Sequence, residues 1–122
     1  MAAAYDKYDP ISGGFRALLN ADMAAMTQPI AVSLNTTGKV VAGTGGQTGL
    51  VGVLMLDRAM RAGDQVDVMT NGEIVNITGI TAGQPVTALN TTGALGTTAA
   101  DSTHLKVGWT VEASRLIVRI GA

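Results

Sequence analysis

Asp101, Ser102 and His104 are the residues of this 122-residue chain that come nearest to a catalytic set, and His104 is its single histidine. A carboxylate, a hydroxyl and an imidazole are the groups used in nucleophilic hydrolysis. Three residues this close in sequence cannot ordinarily adopt triad geometry, and no nucleophile elbow surrounds the serine. We interpret His104 as a solvated loop histidine, and a small hydrolase using His104 with Asp101 stays an alternative.

The glycine-rich segment Gly43–Gly49 is a candidate phosphate-binding loop, because glycine amides can turn toward an anion. It lacks the Gly-Lys-Ser/Thr ending of phosphate loops, and no amphipathic helix follows it. We therefore predict a flexible surface loop and no nucleotide site.

The composition supplies few residues that could bind a metal ion or a cofactor. One histidine, no cysteine and scattered carboxylates do not supply a closed set of metal ligands. We assign no catalytic, cofactor-binding or metal-binding residue, and we expect a protein that is not an enzyme and has no small-molecule substrate. The net charge of −1, without any basic run, also argues against nucleic-acid binding, and no apolar stretch is long enough for a membrane span.

The segments that would position these residues have the pattern of β-strands. Val66–Ile77 reads as a hairpin in which Asn71 and Gly72 form a type I′ turn, because both tolerate positive φ. In that register Met69 lies opposite Ile74, on a face that is only half polar. We expect another surface to cover this face.

Other segments extend the β pattern. Ile30–Leu34 and Val40–Val41 read as a second hairpin around a turn at residues 35–38, and the same Leu-Asn-Thr-Thr-Gly sequence recurs at residues 89–93 as the same turn chemistry used twice. Leu50–Leu56 is nearly continuous apolar sequence, suited to a strand buried on both faces or to an oligomer interface. Two final strands surround Trp109 and span Leu116–Ile120. In the last strand, alternation predicts that Leu116, Val118 and Ile120 face one way and that Ile117 and Arg119 face the other.

The N-terminal residues show no sustained period, so we expect an extended arm there. Phe15–Met26 fits either a short helix or a continuation of the irregular arm. The fold class that follows is mainly β, a small β-sandwich or barrel-like domain with an extended N-terminal arm. We divide the chain into an arm over residues 1–29 and a β-domain over residues 30–122.

Several glycine and β-branched spacings carry a resemblance that covers most of the chain from Gly49 onward. They lie at Gly49–Val53, Ala62–Val68, Asn71–Val75, Val107–Ala113 and Leu116–Ile120, with a further match at Tyr8–Arg16. This pattern resembles the capsid decoration, or cement, proteins of tailed bacteriophages. The resemblance implies a β-rich protein that binds the outside of an icosahedral shell, usually as a homotrimer, with its N-terminal arm on the shell.

The function expected from the resemblance is structural: to stabilise the phage head by bridging major capsid protein subunits, on the capsid exterior of the virion after synthesis in the host cytoplasm. Exposed aromatics on an arm are good local sources of binding energy, and we assign shell contact to Tyr5, Tyr8, Pro10 and Phe15. We assign subunit contact to Met69, Ile74 and Trp109. The alternative is a tail or baseplate adaptor that binds a protein or a glycan through its loops.

Overall fold

Two antiparallel five-stranded sheets make up the part of the chain that the structure, a computed structural model, describes, residues 13–120. Sheet 1 has the order β1-β5-β4-β2-β3 and sheet 2 the order β6-β10-β9-β7-β8. The strands are β1 (Gly14–Leu18), β2 (Ile30–Leu34), β3 (Val40–Ala42), β4 (Gly52–Leu54), β5 (Gln65–Met69), β6 (Asn71–Val75), β7 (Pro85–Leu89), β8 (Leu95–Gly96), β9 (His104–Thr110) and β10 (Arg115–Arg119). The predicted mainly-β sandwich class is confirmed.

The central strands of sheet 1, β2 and β4, are buried on both faces. Neighbouring residues of β2 and β4 alternate between two hydrophobic clusters: Ala31 and Val53 pack toward sheet 2, whereas Val32 and Leu54 pack on the opposite side. All of β4 is buried, which confirms the prediction of a strand covered on both faces. The apolar run around β4 therefore contributes to two cores at once.

The outer face of sheet 1 is covered by two irregular segments, residues 19–26 and 55–64. Backbone bonds of 2.9 Å join the amide of Met23 to the carbonyl of Met60 and the amide of Met60 to the carbonyl of Met23. The Met26 amide donates to the Leu56 carbonyl at 2.8 Å. These segments seal the second cluster, in which Leu19, Leu54 and Val40 are fully buried.

The predicted hairpin at Asn71-Gly72 is wrong. β5 pairs with β1 and β4 in sheet 1, whereas β6 pairs with β10 in sheet 2, so the chain crosses between sheets at Thr70. The Thr70 amide donates to the Gly13 carbonyl at 2.9 Å, and its carbonyl accepts from the Ile120 amide at 3.0 Å. Pairing with distant strands overrides the local turn preference, and Gly72 instead leaves room for Met69, whose Sδ would lie 3.2 Å from an added Cβ.

The alternative of a helix over Phe15–Met26 is also wrong, because this stretch begins within β1 and the described residues contain no helix. Leu19 is fully buried, so the described part of the predicted arm, residues 13–29, packs as part of the β-domain. None of the elements over residues 13–120 is a helix with the length and apolarity needed to cross a membrane.

The two copies of Leu-Asn-Thr-Thr-Gly each connect a pair of neighbouring antiparallel strands, β2 with β3 and β7 with β8. The final glycines, Gly38 and Gly93, have φ of 78° and 76°, which disfavours residues with a Cβ. In the first copy, Asn35 Oδ1 accepts from the Thr37 and Lys39 amides at 3.0 Å. The predicted hairpin at residues 30–41 and the repeated turn are both confirmed.

Candidate functional site

The Asp101–His104 pair forms a turn at the start of β9. Asp101 Oδ1 accepts from the amides of Thr103 and His104, both at 2.8 Å, and lies 3.2 Å from His104 Nδ1. No hydrogen bond joins Ser102 to His104 in the described residues, so the nucleophile of a triad is not brought to the imidazole. His104 is the first residue of β9 rather than a solvated loop residue, and its side chain is only 25% exposed.

The hydrogen bonds from Thr103, first its amide and then its hydroxyl, with a further one from His104, lower the pKa of Asp101 to about 2. Asp101 is therefore ionised over the whole physiological range. Because its Oδ1 serves as the acceptor for this turn, the carboxylate stabilises local backbone structure.

The Gly43–Gly49 segment is anchored rather than flexible, which corrects the prediction from sequence. Buried Ser33 donates from Oγ to the Gly43 carbonyl at 2.9 Å and accepts from the Gly46 amide at 2.8 Å. The Gly43 amide donates to Ala31 at 2.9 Å, and the Thr44 amide donates to Asn90 at 3.0 Å. These amides already have partners within the protein, so they are not available to hold a phosphate.

Several surface carboxylates form exposed ion pairs with arginines. Arg16 Nε lies 2.8 Å from Asp67 Oδ1, and Arg115 Nε lies 2.7 Å from Glu112 Oε2. The hydrogen bond from Arg115 lowers the pKa of Glu112, and the same bond raises the pKa of Arg115. Within residues 13–120, no three histidine or carboxylate side chains cluster in a way that could hold a metal ion.

Phe15, Met69 and Ile74 all line an open groove of about 470 Å³ between the two sheets. We call this feature the groove. It is lined by Gly13, Gly14, Phe15, Arg16, Val53, Met55, Asp67, Val68, Met69 and Ile74. Its lining is mostly apolar, and the exposed Arg16–Asp67 pair lies at its rim.

Met69 and Ile74 converge for a different reason from the one predicted. They lie in different sheets, on either side of the crossing at Thr70, and both pack partly against the core between the sheets. Phe15 packs partly against the second cluster, so it is half-buried rather than free on an arm. The groove thus joins one residue assigned to shell contact with two assigned to subunit contact.

Trp109 lies on a second apolar surface, on the outer face of sheet 2. Trp109 pairs with Ile117 on one side and with Pro85 on the other, and Ile117 pairs in turn with Glu73. Residues paired across strands share a face, so Pro85, Trp109 and Ile117 form a row, which we call the Trp109 face. Trp109 is 36% exposed, and Val75, in the next row, is 55% exposed.

Tyr5, Tyr8 and Pro10 lie outside the described residues. Sequence reasoning missed Val53 and Met55 in the groove, and Pro85 and Ile117 on the Trp109 face. The alternation of Leu116–Ile120 had already placed Ile117 opposite the buried Leu116 and Val118. The missing information was the register between β9 and β10, which brings Ile117 beside Trp109.

The fold is shared with a solved structure from Mycobacterium phage Patience. The two match with a TM-score of 0.78 at 19% sequence identity, over 95% of this chain and 95% of that chain. No protein-family model and no curated protein matches the sequence. The similarity therefore extends over nearly the whole length of both chains, and at this identity it concerns the fold.

Proposed function

We propose that this chain is a decoration protein of a tailed-phage capsid, which binds the outer surface of the head and stabilises it by bridging neighbouring major capsid protein subunits. The observation that carries the proposal is the apolar row on the outer face of sheet 2, which no described segment of the chain covers. The shared fold with a phage chain and the resemblance to cement proteins support it.

Such a protein acts by contact, and the two apolar surfaces supply the energy for it. Each 100 Å² of apolar surface removed from water stabilises an interface by roughly 2.5 kcal/mol before the costs of association. Many copies on one shell add avidity, so contacts that are individually weak can hold a lattice together. The proposal needs no catalytic step, cofactor, nucleic acid or membrane.

We assign a role to each candidate residue according to whether it lies at the groove, on the Trp109 face or in the segment before Gly13. We assign Trp109 to contact between subunits of a homotrimer, with Met69 and Ile74 contributing at the groove. Tyr5, Tyr8 and Pro10 are assigned to the shell. Phe15 is half-buried at the groove, so its contribution to shell binding is to shape the surface from which the preceding residues leave the domain.

Co-sedimentation tests the proposal. The purified protein is mixed with empty heads, and separately with isolated tails, of the phage that encodes it. Binding to heads at a saturating, fixed ratio to major capsid protein is the expected result. Binding to tails alone would favour the tail or baseplate adaptor, and binding to neither would contradict both functions.

Light scattering tests the assembly state independently. A homotrimer has three times the 12.4 kDa mass of the chain, about 37 kDa. A strict monomer at high protein concentration would contradict the homotrimer.

A further inference from the structure

The groove lies beside an unpartnered strand edge. β6 is the last strand of sheet 2 and pairs with β10 on one side, and no strand within residues 13–120 pairs with its other side. Ile74 of β6 forms one wall of the groove, while β1 and β5 of sheet 1 form the other. Unpaired amides and carbonyls at such an edge can accept an additional strand. β6 also lacks the lysine or proline that commonly protects an edge strand.

The described chain begins at this same place. Gly13 lines the groove, and its carbonyl accepts from the amides of Thr70, at 2.9 Å, and Asn71, at 3.3 Å. Asn71 is the first residue of β6. The backbone hydrogen bonding between β1 and β5 therefore continues past the crossing at Thr70 and includes the first residue of β6. A chain that extends β1 toward the N-terminus starts beside the outer edge of β6.

We propose that the groove is the docking site for residues 9–12 of the same copy of the chain. Twelve residues can span at most about 40 Å when extended, whereas the five residues of β6 span about 17 Å. The segment before Gly13 is thus long enough to follow β6 with residues to spare. Pro10 and Ile11 offer apolar surface to the apolar walls formed by Val53 and Ile74.

Docking at the groove goes beyond the proposed function and does not depend on it, because it occurs in the isolated protein. It fixes the point from which Tyr5 and Tyr8 leave the domain. It also moves Pro10 from shell contact to the groove, and it gives Met69 and Ile74 the role of binding this segment in place of contact between subunits. On a head, an anchored segment would present both tyrosines from a defined position, at a lower entropic cost than a free chain end.

Hydrogen exchange on the isolated protein tests the docking. The full chain is compared with a variant that lacks residues 1–12, and the amides of β6 are followed. Docking predicts that the deletion accelerates exchange in β6 by about tenfold or more. β3 is the internal control, since it is an edge strand of sheet 1 and should not change. Equal exchange of β6 in the two proteins would overturn the proposal.

Point variants separate the groove from the general stability of the fold. Ile74→Lys places a charge in the groove, whereas Leu18→Lys changes a residue of β1 that is 43% exposed and neither lines the groove nor belongs to sheet 2. Ile74→Lys should reproduce the faster exchange and Leu18→Lys should not. Because Ile74→Lys can also weaken the core, Ile11→Lys is the second variant, with Ala4→Lys as its control. If Ile11→Lys left β6 protected, the proposal would fail.

Mixing identifies the copy that supplies the segment. Isotope-labelled protein lacking residues 1–12 is mixed with unlabelled full chain, and exchange in the labelled β6 is measured. No recovery of protection is expected if each copy fills its own groove. Recovery would assign the segment to a neighbouring copy, and protection that arises only on heads would assign the groove to a capsid partner. Either result overturns the proposal, and head co-sedimentation judges the proposed function separately.

Discussion

The outer faces of the two sheets differ in what covers them. On sheet 1, residues 19–26 and 55–64 form an irregular layer over a cluster in which Leu19 and Leu54 are fully buried. On sheet 2, the corresponding face carries Trp109 at 36% exposure and Val75 at 55%, and no described segment lies over the row formed by Pro85, Trp109 and Ile117.

The outer face of sheet 1 therefore contributes to the stability of the fold, whereas the outer face of sheet 2 is available for binding. The chain uses two of its own segments to complete one apolar face, so substitutions there should act on folding. The other face keeps apolar area at its surface, so substitutions there should act mainly on assembly. A protein that works by contact needs both, because a rigid core allows an exposed surface to keep its shape.

The largest expected effect is on the covered face, at two adjacent leucines. Leu19, the first residue of the irregular layer, is fully buried, whereas Leu18 is 43% exposed. Leu19→Ala should lower the free energy of unfolding by about 2–5 kcal/mol, because it leaves a cavity. Leu18→Ala should change it by about 0.5 kcal/mol or less. Urea unfolding measures both, and equal losses would mean that the layer does not seal the face.

A smaller effect is expected at Ser33, which faces the space between the sheets. Ser33→Ala leaves the Gly43 carbonyl and the Gly46 amide without their partner, and should cost about 1–3 kcal/mol of unfolding free energy. Ser114→Ala, at an exposed position, is the control. Hydrogen exchange should also become faster over residues 43–49. Unchanged exchange there would argue that the loop is held by its backbone bonds alone.

Trp109→Ser tests the uncovered face. It should lower the unfolding free energy by only about 1 kcal/mol, since the ring is already partly in solvent. Its mass by light scattering should fall toward that of the monomer, and binding to heads should weaken. Leu18→Ser, at a residue of β1 in sheet 1 that is 43% exposed, is the matched control. A Trp109 variant that assembles like the natural chain would remove this face from the interface.

The smallest expected effect is the pH dependence of the turn before β9. The pKa of Asp101 is about 2 in the folded protein, below the value of about 3.9 for an unperturbed aspartate. Its stabilising contribution is therefore complete above about pH 4 and is lost as the pH falls toward 2. Asp101→Ala should lower the Tm at pH 7, and the difference from the natural chain should shrink as the pH falls through 2 and vanish below it. A difference that is constant with pH would exclude the carboxylate as its source.

Local patterns were sufficient for much of this fold. The alternation in Leu116–Ile120 correctly predicts that Leu116 and Val118 share a face, which the structure shows to be buried, and the turn at residues 35–38 correctly joins β2 to β3. These elements are decided within a few residues, by side-chain period and by turn chemistry. The apolar run around β4 was equally direct, because a strand covered on both faces has no polar side.

The path of the chain at Asn71 could not be read locally. The favoured turn there competes with pairing partners far away in sequence, Gly14–Leu18 for β5 and Arg115–Arg119 for β6. The groove could not be predicted from local sequence either. The hairpin pattern predicts Met69 and Ile74 as cross-strand neighbours, yet they converge because the chain crosses between sheets. Phe15 reaches the same groove through the pairing of β1 with β5.

The position of Thr70 makes a circular permutant of this protein feasible. The Thr70 amide donates to the Gly13 carbonyl and the Thr70 carbonyl accepts from the Ile120 amide, so the two ends of the described chain meet the crossing between the sheets at one corner. A short linker from residue 120 to residue 13 would close the backbone there, and the exposed turn at Thr36–Thr37 could be opened in its place. Such a circular permutant would retain every strand pairing of both sheets and move the new termini to the β2–β3 turn.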